Sequence, residues 1–179
     1  MRRIRYSVAM SLDGFIAGPK GEFDWSQPDP DFDFGALLKE FDTIVAGRRT
    51  FEPMVAAGRT SMPGMQTIVV SKTLRPEDHP DVVIVHGIDA LKHLKASPGK
   101  DIWLFGGGQL FRSLAEAGMV DTVEVSIQPV LLGSGIPLAP NLSTWMNLAL
   151  TNHTIRSSGA VSLEYAIRPN ATPESDPAP

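Results

Sequence analysis

The sequence predicts an α/β fold: an open mixed sheet, mostly parallel, with helices on both faces and a C-terminal antiparallel hairpin. Short apolar, β-branched runs alternate with segments of helical spacing from residue 34 to residue 130, which is typical of strands joined by crossover helices. Two alternating stretches then flank Ser157-Ser158-Gly159 and predict a hairpin at one edge of the sheet. The chain has 179 residues, 42% of them hydrophobic, which suits one domain over residues 1–168. The proline-rich stretch 169–179 lacks apolar periodicity and is predicted to be a disordered tail.

The individual elements follow from the apolar pattern in chain order. Strands are predicted over residues 4–10, 43–46, 67–70, 81–85, 102–105 and 122–130, with hairpin strands over 148–155 and 161–167. Helices are predicted over residues 34–41, 50–55, 87–95 and 109–117. Thr50 is expected to cap the second helix, and Pro53 limits that helix to first-turn geometry. A Gly/Pro-rich loop over residues 18–30 carries Trp25.

Composition excludes several classes of function. The chain has no cysteine, so a disulfide framework, a zinc-thiolate site and a thiol nucleophile are ruled out. A net charge of -4 lacks the basic field that nucleic acid binding needs. No apolar run approaches the roughly 18 residues of a membrane span, and no signal segment follows the basic start, so we expect a soluble, cytoplasmic protein. The four histidines show no metal-ligand spacing, so no metal is implied.

Three predicted strands end in residues that suit phosphate groups. The first junction holds Gly47, Arg48, Arg49 and Thr50, the second holds Ser71 and Lys72, and the third holds Gly106, Gly107 and Gly108. In open α/β sheets, ligands bind beyond the carboxyl ends of the strands, so these junctions are expected to face one crevice. Glycine lets the backbone approach a pyrophosphate, and the start of the following helix attracts an anion.

The charges at these junctions favour NADPH over NADH. An arginine and a lysine suit an isolated monophosphate better than a pair of hydroxyl groups. Two other interpretations stay open, because the glycines could form only a tight turn and Arg48 and Arg49 could be solvated. The glycine turn also lacks the third glycine of the common dinucleotide fingerprint.

Four segments, in the correct order, resemble the cofactor-contacting parts of dihydrofolate reductase. They are residues 9–17 (AMSLDGFIA), 45–52 (VAGRRTFE), 70–72 (VSK) and 105–111 (FGGGQLF). Residues 114–138 and the Ser-Leu-Asp-Gly of residues 11–14 are closer to the riboflavin-biosynthesis reductase branch. The resemblance spans about residues 3–168. It implies a dihydrofolate reductase-like sheet with NADPH lying across the carboxyl edge.

The resemblance also assigns roles to residues by position. The residues it places around the cofactor are Ala9 and Ile16 at the nicotinamide, Gly47, Arg48, Arg49, Thr50, Ser71 and Lys72 at the adenosine phosphates, and Phe105, Gly106, Gly107, Gly108, Gln109 and Leu110 at the pyrophosphate turn. Its substrate-side residues are Asp13, Trp25 and Ser126. Asp31 stands at the spacing of the family's catalytic acid and Asp33 follows it, although either aspartate could simply cap a helix.

These observations predict an NADPH-dependent reductase that transfers hydride to a small pterin- or pyrimidinone-like heterocycle. The alternatives are a 5-amino-6-(5-phosphoribosylamino)uracil reductase, dihydrofolate reductase proper, or a non-catalytic NADPH-binding sensor. Dihydrofolate is expected to be a poor substrate, because the candidate acids lie in an Asp-Pro-Asp-Phe-Asp stretch followed by Gly35. The alternation of the hairpin and the resemblance together predict a homodimer.

Overall fold

The computed structural model describes residues 1–26 and 29–168, and the predicted tail over 169–179 lies outside them. Ten strands follow in chain order: β1 (Ile4–Ser11), β2 (Phe15–Ala17), β3 (Phe41–Gly47), β4 (Gln66–Val70), β5 (Val83–Val85), β6 (Asp101–Leu104), β7 (Thr122–Gln128), β8 (Ile136–Pro137), β9 (Asn147–Ile155) and β10 (Val161–Arg168). The helices are α1 (Phe34–Leu38), α2 (Arg48–Ala56), α3 (Ala90–Ala96) and α4 (Gly108–Glu116), with a 3-10 helix at Pro76–Asp78. No helix among these residues is both long and apolar enough to cross a membrane.

Eight strands form the main sheet, in the order β5-β4-β3-β6-β1-β7-β10-β9. In this spatial order, the first six strands, β5 through β7, run parallel to one another. Strand β10 runs antiparallel to both of its neighbours, β7 and β9. The predicted mixed sheet with a C-terminal hairpin is therefore confirmed. Because the parallel strands share one direction, the residues that follow β1, β3, β4 and β6 meet at a single carboxyl edge.

Helices cover both faces of this sheet. On one face, Tyr6 of β1 stacks on Phe111 of α4, with 4.2 Å between the ring centroids. On the other face, Trp103 of β6 packs with Phe41 and with the partly buried Leu37 of α1. Side chains alternate between the faces along a strand, so Ser7 and Ala9 share the Trp103 face.

Several predicted boundaries are corrected. The first helix is only five residues long and stops at Leu38, because β3 already begins at Phe41. Thr50 does not cap α2, since Gly47 holds the N-cap position and Thr50 lies in the first turn. The strand predicted over 81–85 is limited to Val83–Val85. The sequence pattern also missed β2 and β8, which form a separate two-stranded antiparallel sheet.

Candidate active site at the carboxyl edge of the sheet

Two helices begin side by side at the carboxyl edge. Gly47 precedes α2 and Gly107 precedes α4, and neither N-cap has a side-chain hydrogen bond. The first N–H groups of both helices are therefore available, and both positive dipole ends lie at this edge. The two starts are close, because an ideal Cβ on Gly107 would lie 3.3 Å from Oγ1 of Thr50. Such an arrangement of backbone suits a bound phosphate.

The three successive glycines at the junction of β6 and α4 are required for two different reasons. Gly106 and Gly107 have φ angles of 67° and 84°, in the left-handed region that disfavours other residues. Their Cβ positions face Thr50, so they keep the backbone open at the start of α2. Gly108 is needed for packing instead, because a Cβ there would lie 2.5 Å from the carbonyl oxygen of Pro137.

The three cations at this edge differ in their pairing. Arg48 donates to Glu52 at 2.9 Å in an exposed i,i+4 ion pair. Arg49 and Lys72 are exposed and have no side-chain partner among the described residues. Their charges are therefore available to an anionic ligand, whereas part of the charge of Arg48 is already compensated.

A tight turn after β4 presents Lys72 to solvent. Ser71 is 6% exposed, and its hydroxyl oxygen accepts hydrogen bonds from the backbone N–H groups of Thr73 and Leu74 at 3.2 and 3.0 Å. Its carbonyl oxygen lies 2.9 Å from Nδ1 of His86, the residue after β5. Ser71 thus shapes the turn, and the exposed side chain beside it is that of Lys72.

An open cavity of about 170 Å³ lies next to the glycine turn, on the Trp103 face of the sheet. Its lining residues are Ser7, Val8, Ala9, Ile16, Phe23, Trp25, Ser26, Phe105 and Gly106. Small-molecule pockets usually measure about 300–1,000 Å³, so this cavity has room for one ring-sized group and not for a whole dinucleotide.

Five predicted site residues meet in this cavity. They are Ala9, Ile16, Trp25, Phe105 and Gly106. The indole N–H of Trp25 donates to the carbonyl oxygen of Glu22 at 3.2 Å. The ring of Phe105 packs edge-on against Trp103, with centroids 5.0 Å apart. The predicted nicotinamide, pyrophosphate and substrate positions therefore adjoin one another around this cavity.

Asp13 binds a neighbouring loop in the described structure. Its carboxylate accepts hydrogen bonds from Ser11 Oγ at 2.6 Å and from the N–H groups of Leu132 and Gly133 at 3.1 and 2.7 Å. The hydrogen bond from Ser11, aided by those from the two backbone groups, lowers the pKa of Asp13 to about 2. This contact ties the end of β1 to the loop before β8, which pairs with the β2 strand that carries Ile16.

The two candidate acids lie outside the cavity lining. Asp33 caps α1, since its Oδ1 accepts from the N–H of Ala36 at 2.8 Å. Asp31 is exposed, and its carboxylate accepts a hydrogen bond from the hydroxyl group of Ser157 in the C-terminal hairpin. Helix capping, which was the alternative interpretation, therefore describes Asp33. Neither aspartate is brought to the residues that would surround a nicotinamide.

The remaining predicted residues surround the cavity less directly. Ser126 of β7 is in register with Ala9 and accepts from the side-chain amide of Gln128 at 3.0 Å. Gln109 is exposed in the first turn of α4. Leu110 is 9% exposed and packs in the main core, which leaves only its backbone N–H for a ligand.

Four lining residues were missed by the sequence analysis: Ser7, Val8, Phe23 and Ser26. Ser7 could have been found, because it precedes Ala9 by two residues and so shares its face of β1. Phe23 and Ser26 lie in the loop between β2 and α1, where no periodicity indicates which side chains turn inward.

The chain is similar in sequence to a bacterial protein and in structure to two solved proteins. The chain is 37% identical over 177 residues to the uncharacterized protein YyaP of Bacillus subtilis (strain 168), covering 92% of this chain and 94% of that protein. A structure assigned to riboflavin biosynthesis, from Shewanella sp. PV-4, superposes with a TM-score of 0.79 at 27% identity, covering 94% of this chain and all of the other. Dihydrofolate reductase from Enterococcus faecalis, complexed with NADP(H) and RAB-propyl, has a TM-score of 0.67 at 19% identity, covering 93% and 97% of the two chains.

The likeness to dihydrofolate reductase concerns the fold, and the family is indicated by the sequence itself. Residues 2–162 match the RibD C-terminal domain, so the match covers nearly all of the main sheet. The predicted resemblance to the riboflavin-biosynthesis reductase branch is confirmed. This chain belongs to the RibD C-terminal domain family.

Proposed function

We propose that this protein is an NADPH-dependent reductase that transfers hydride to a small pterin- or pyrimidinone-like heterocycle. The observation that carries the proposal is the position of an apolar cavity beside two uncapped helix N-termini. When bound, the reduced cofactor supplies the hydride. The protein's part is to hold the cofactor and orient the acceptor ring.

The chain's own residues divide this task. The backbone of Gly106 and Gly107 and the first turns of α2 and α4 suit the pyrophosphate. Arg49 and Lys72 provide unpaired charge for the additional monophosphate of NADPH. The cavity beside Ala9 has the size and apolar lining that a nicotinamide ring or its acceptor needs.

Calorimetry and absorbance together test the proposal. NADPH should bind at least about tenfold more tightly than NADH, a difference of about 1.4 kcal/mol. Oxidation of NADPH, measured as the loss of reduced-nicotinamide absorbance, should then require a pterin or pyrimidinone acceptor. Equal affinities for the two cofactors would contradict the monophosphate assignment. Tight NADPH binding with no oxidation across the acceptor panel would favour a sensor.

Two more specific activities can be distinguished by the acceptor with which NADPH is oxidised. A 5-amino-6-(5-phosphoribosylamino)uracil reductase would oxidise NADPH with that phosphorylated pyrimidine and not with pterins. A dihydrofolate reductase would do so with dihydrofolate and would lose activity in Asp31→Asn. We expect weak activity with dihydrofolate, because Asp31 is exposed and bonded to the hairpin.

We also propose that the protein is a cytoplasmic homodimer that forms through the C-terminal hairpin. β9 is the outermost strand of the sheet and exposes Leu148, Leu150 and Ile155, by 44%, 53% and 77%. A long edge strand with exposed apolar side chains is a ready surface for pairing with another strand. Sedimentation should give a dimer at micromolar concentration and a monomer for Leu150→Lys. A monomeric wild type would remove the proposal.

A further inference from the structure

We propose that the cavity binds a planar, uncharged ring, and that the hydroxyl group of Ser7, not a carboxylate, orients it. The inference rests on the proposed reductase function for its biological meaning, although ring binding can be measured without turnover. It concerns the chemical class of the acceptor and identifies one further residue that touches it.

The lining of the cavity contains no ionisable side chain among the described residues. Apolar and aromatic groups make up most of it, including Ile16, Phe23, Trp25 and Phe105. The polar side chains are the hydroxyl groups of Ser7 and Ser26. A charged ring placed here would lose hydration without gaining a counter-charge, whereas a neutral aromatic ring can stack on these walls.

One carboxylate on the same face of the sheet as Ser7 is already hydrogen-bonded. Glu124 of β7 is in register with Ser7 and is 8% exposed. Arg5 donates to its two oxygens at 2.6 and 2.9 Å, and Thr122 donates to one of them at 2.8 Å. Glu124 is the acceptor in every one of these bonds, so it has no proton to offer to a ring in the cavity.

Ser7 is the polar group that the strand itself places under the ring. Its carbonyl oxygen accepts a hydrogen bond from the indole N–H of Trp103 at 2.9 Å, which fixes the backbone at this position. Its hydroxyl group has no partner among the described residues. A hydroxyl group can both donate and accept, so it can bond a ring nitrogen or carbonyl without requiring the ring to be protonated.

This arrangement also determines where the proton of the reduction comes from. When the acceptor carbon takes the hydride with its electron pair, the π electrons of the C=N or C=O bond move to the heteroatom. That heteroatom then takes a proton from solvent water, directly or through the serine hydroxyl. The nicotinamide is oxidised and the ring is reduced, and no carboxylic acid is consumed.

Paired ring ligands test the inference by calorimetry. The 2,4-diaminopteridine ring is readily protonated and pairs with a carboxylate, whereas 2-amino-4-oxopteridine is neutral. We expect Kd values within about threefold of each other at pH 7, where both rings are largely neutral. The diamino ring alone should bind more weakly as pH falls to 5 and it becomes protonated, because no counter-charge lines the cavity. A preference of more than about tenfold for the diamino ring, lost in Asp31→Asn or Asp33→Asn, would overturn the proposal.

Serine variants provide the second arm of the experiment. Ser7→Ala should raise the Kd of both rings about tenfold by removing one hydrogen bond, and Ser7→Thr should restore much of the affinity. Ser162→Ala, on the same face of the sheet but on β10, is the matched control and should change nothing. Unchanged ring affinity in Ser7→Ala, or failure of both rings to bind, would overturn the proposal.

The failure of the proposed function is distinguishable from the failure of this inference. The titrations are made with and without NADPH, and the readout is the heat of ring binding. If the protein neither binds nor oxidises NADPH but still binds both neutral and diamino rings equally through Ser7, the reductase is refuted and the ring site stands. If NADPH is oxidised but the protein binds the charged ring in preference to the neutral one, the inference about the ring site is refuted and the reductase stands.

Discussion

Basic side chains lie at both edges of the parallel sheet, but they are ion-paired at the amino edge and partly unpaired at the carboxyl edge. At the amino edge, Arg3 pairs with Asp101 at 2.5 Å, Lys95 pairs with Asp121 at 2.6 Å, and Arg5 pairs with Glu124. At the carboxyl edge, Arg49 and Lys72 have no side-chain partner within the described chain. Paired charges join strand starts to each other, whereas unpaired charges can meet a ligand.

The amino edge has a larger concavity but no comparable chemistry. A space of about 570 Å³ lies there among Arg3, Arg5, Glu40, Glu124 and Glu164. Burial lowers the pKa of Arg5, but its hydrogen bonds to the carboxylates of Glu124 and Glu40 outweigh this effect and raise that pKa overall. Its charge is therefore permanent and compensated. Size alone does not identify a site, because here the polar groups already bind each other.

The largest expected effect comes from breaking the amino-edge network. Arg5→Met leaves Glu124 buried without its counter-charge, and removing one partner of a buried pair costs about 3 kcal/mol. We expect this loss in the free energy of unfolding, measured by urea denaturation, with an unchanged NADPH affinity. Arg75→Met, which breaks an exposed pair with Asp78, is the control and should cost at most about 1 kcal/mol. A parallel loss of cofactor affinity in Arg5→Met would mean that the two edges are coupled.

The second prediction separates backbone strain from ligand binding at the carboxyl edge. Gly107 and Gly118 both have positive φ, 84° and 66°, so alanine at either should cost about 1–2 kcal/mol of stability. Only at Gly107 would the new Cβ enter the space beside Thr50, 3.3 Å from its Oγ1. Gly107→Ala should therefore raise the Kd of NADPH about tenfold or more, an effect of at least about 1.4 kcal/mol.

Gly118→Ala is the matched control, since its Cβ would have no neighbour within 4 Å. Its cofactor affinity should equal that of the wild type. If both variants bind NADPH normally, the glycine turn serves only the chain's geometry. The pyrophosphate would then have to bind elsewhere.

The third prediction ranks the cations of the carboxyl edge. Lys72→Gln and Arg49→Gln should each reduce the preference for NADPH over NADH about tenfold, because a charge-assisted hydrogen bond to phosphate is lost. Arg48→Gln should have a smaller effect, since Glu52 already shares its charge. Calorimetry at low and high salt checks this order, and the differences should shrink as salt screens the exposed charges. A larger effect for Arg48→Gln would reverse the assignment.

The sequence predicted the parts of this edge that depend on short motifs. Gly47 ends the parallel strand β3, and Lys72 and Gly106 follow the parallel strands β4 and β6. The rule that such strands share a carboxyl edge brings the three residues together. Ala9, which the resemblance placed at the nicotinamide, lies in the lining of the cavity. The junction residues needed only strand direction and period, which are local properties of the chain, whereas Ala9 needed the family resemblance.

What could not be predicted depends on contacts between distant segments. The three-residue strand β2 pairs with the two-residue strand β8, and neither segment is long enough to show a periodic pattern. Asp31 and Asp33 illustrate a different difficulty, because a helix cap and a buried acid have the same local sequence signature. Only the observed contacts with Ala36 and Ser157 distinguish these roles.

The smallest effect, and the last prediction, concerns Asp13, which lies at the carboxyl edge but has paired its charge. Its folded-state pKa is lowered to about 2 from an ordinary value of 3.8, so its ionised form stabilises the fold. That contribution is fully present above about pH 4 and disappears as pH falls towards 2. The melting temperatures of wild type and Asp13→Asn should therefore differ slightly at neutral pH and converge in acid. Asp81→Asn, an exposed change of the same charge, controls for net charge and should show no such convergence. If Asp13→Asn instead weakens ring binding at neutral pH without changing the melting temperature, Asp13 contacts the substrate and the carboxyl edge holds a third unpaired charge.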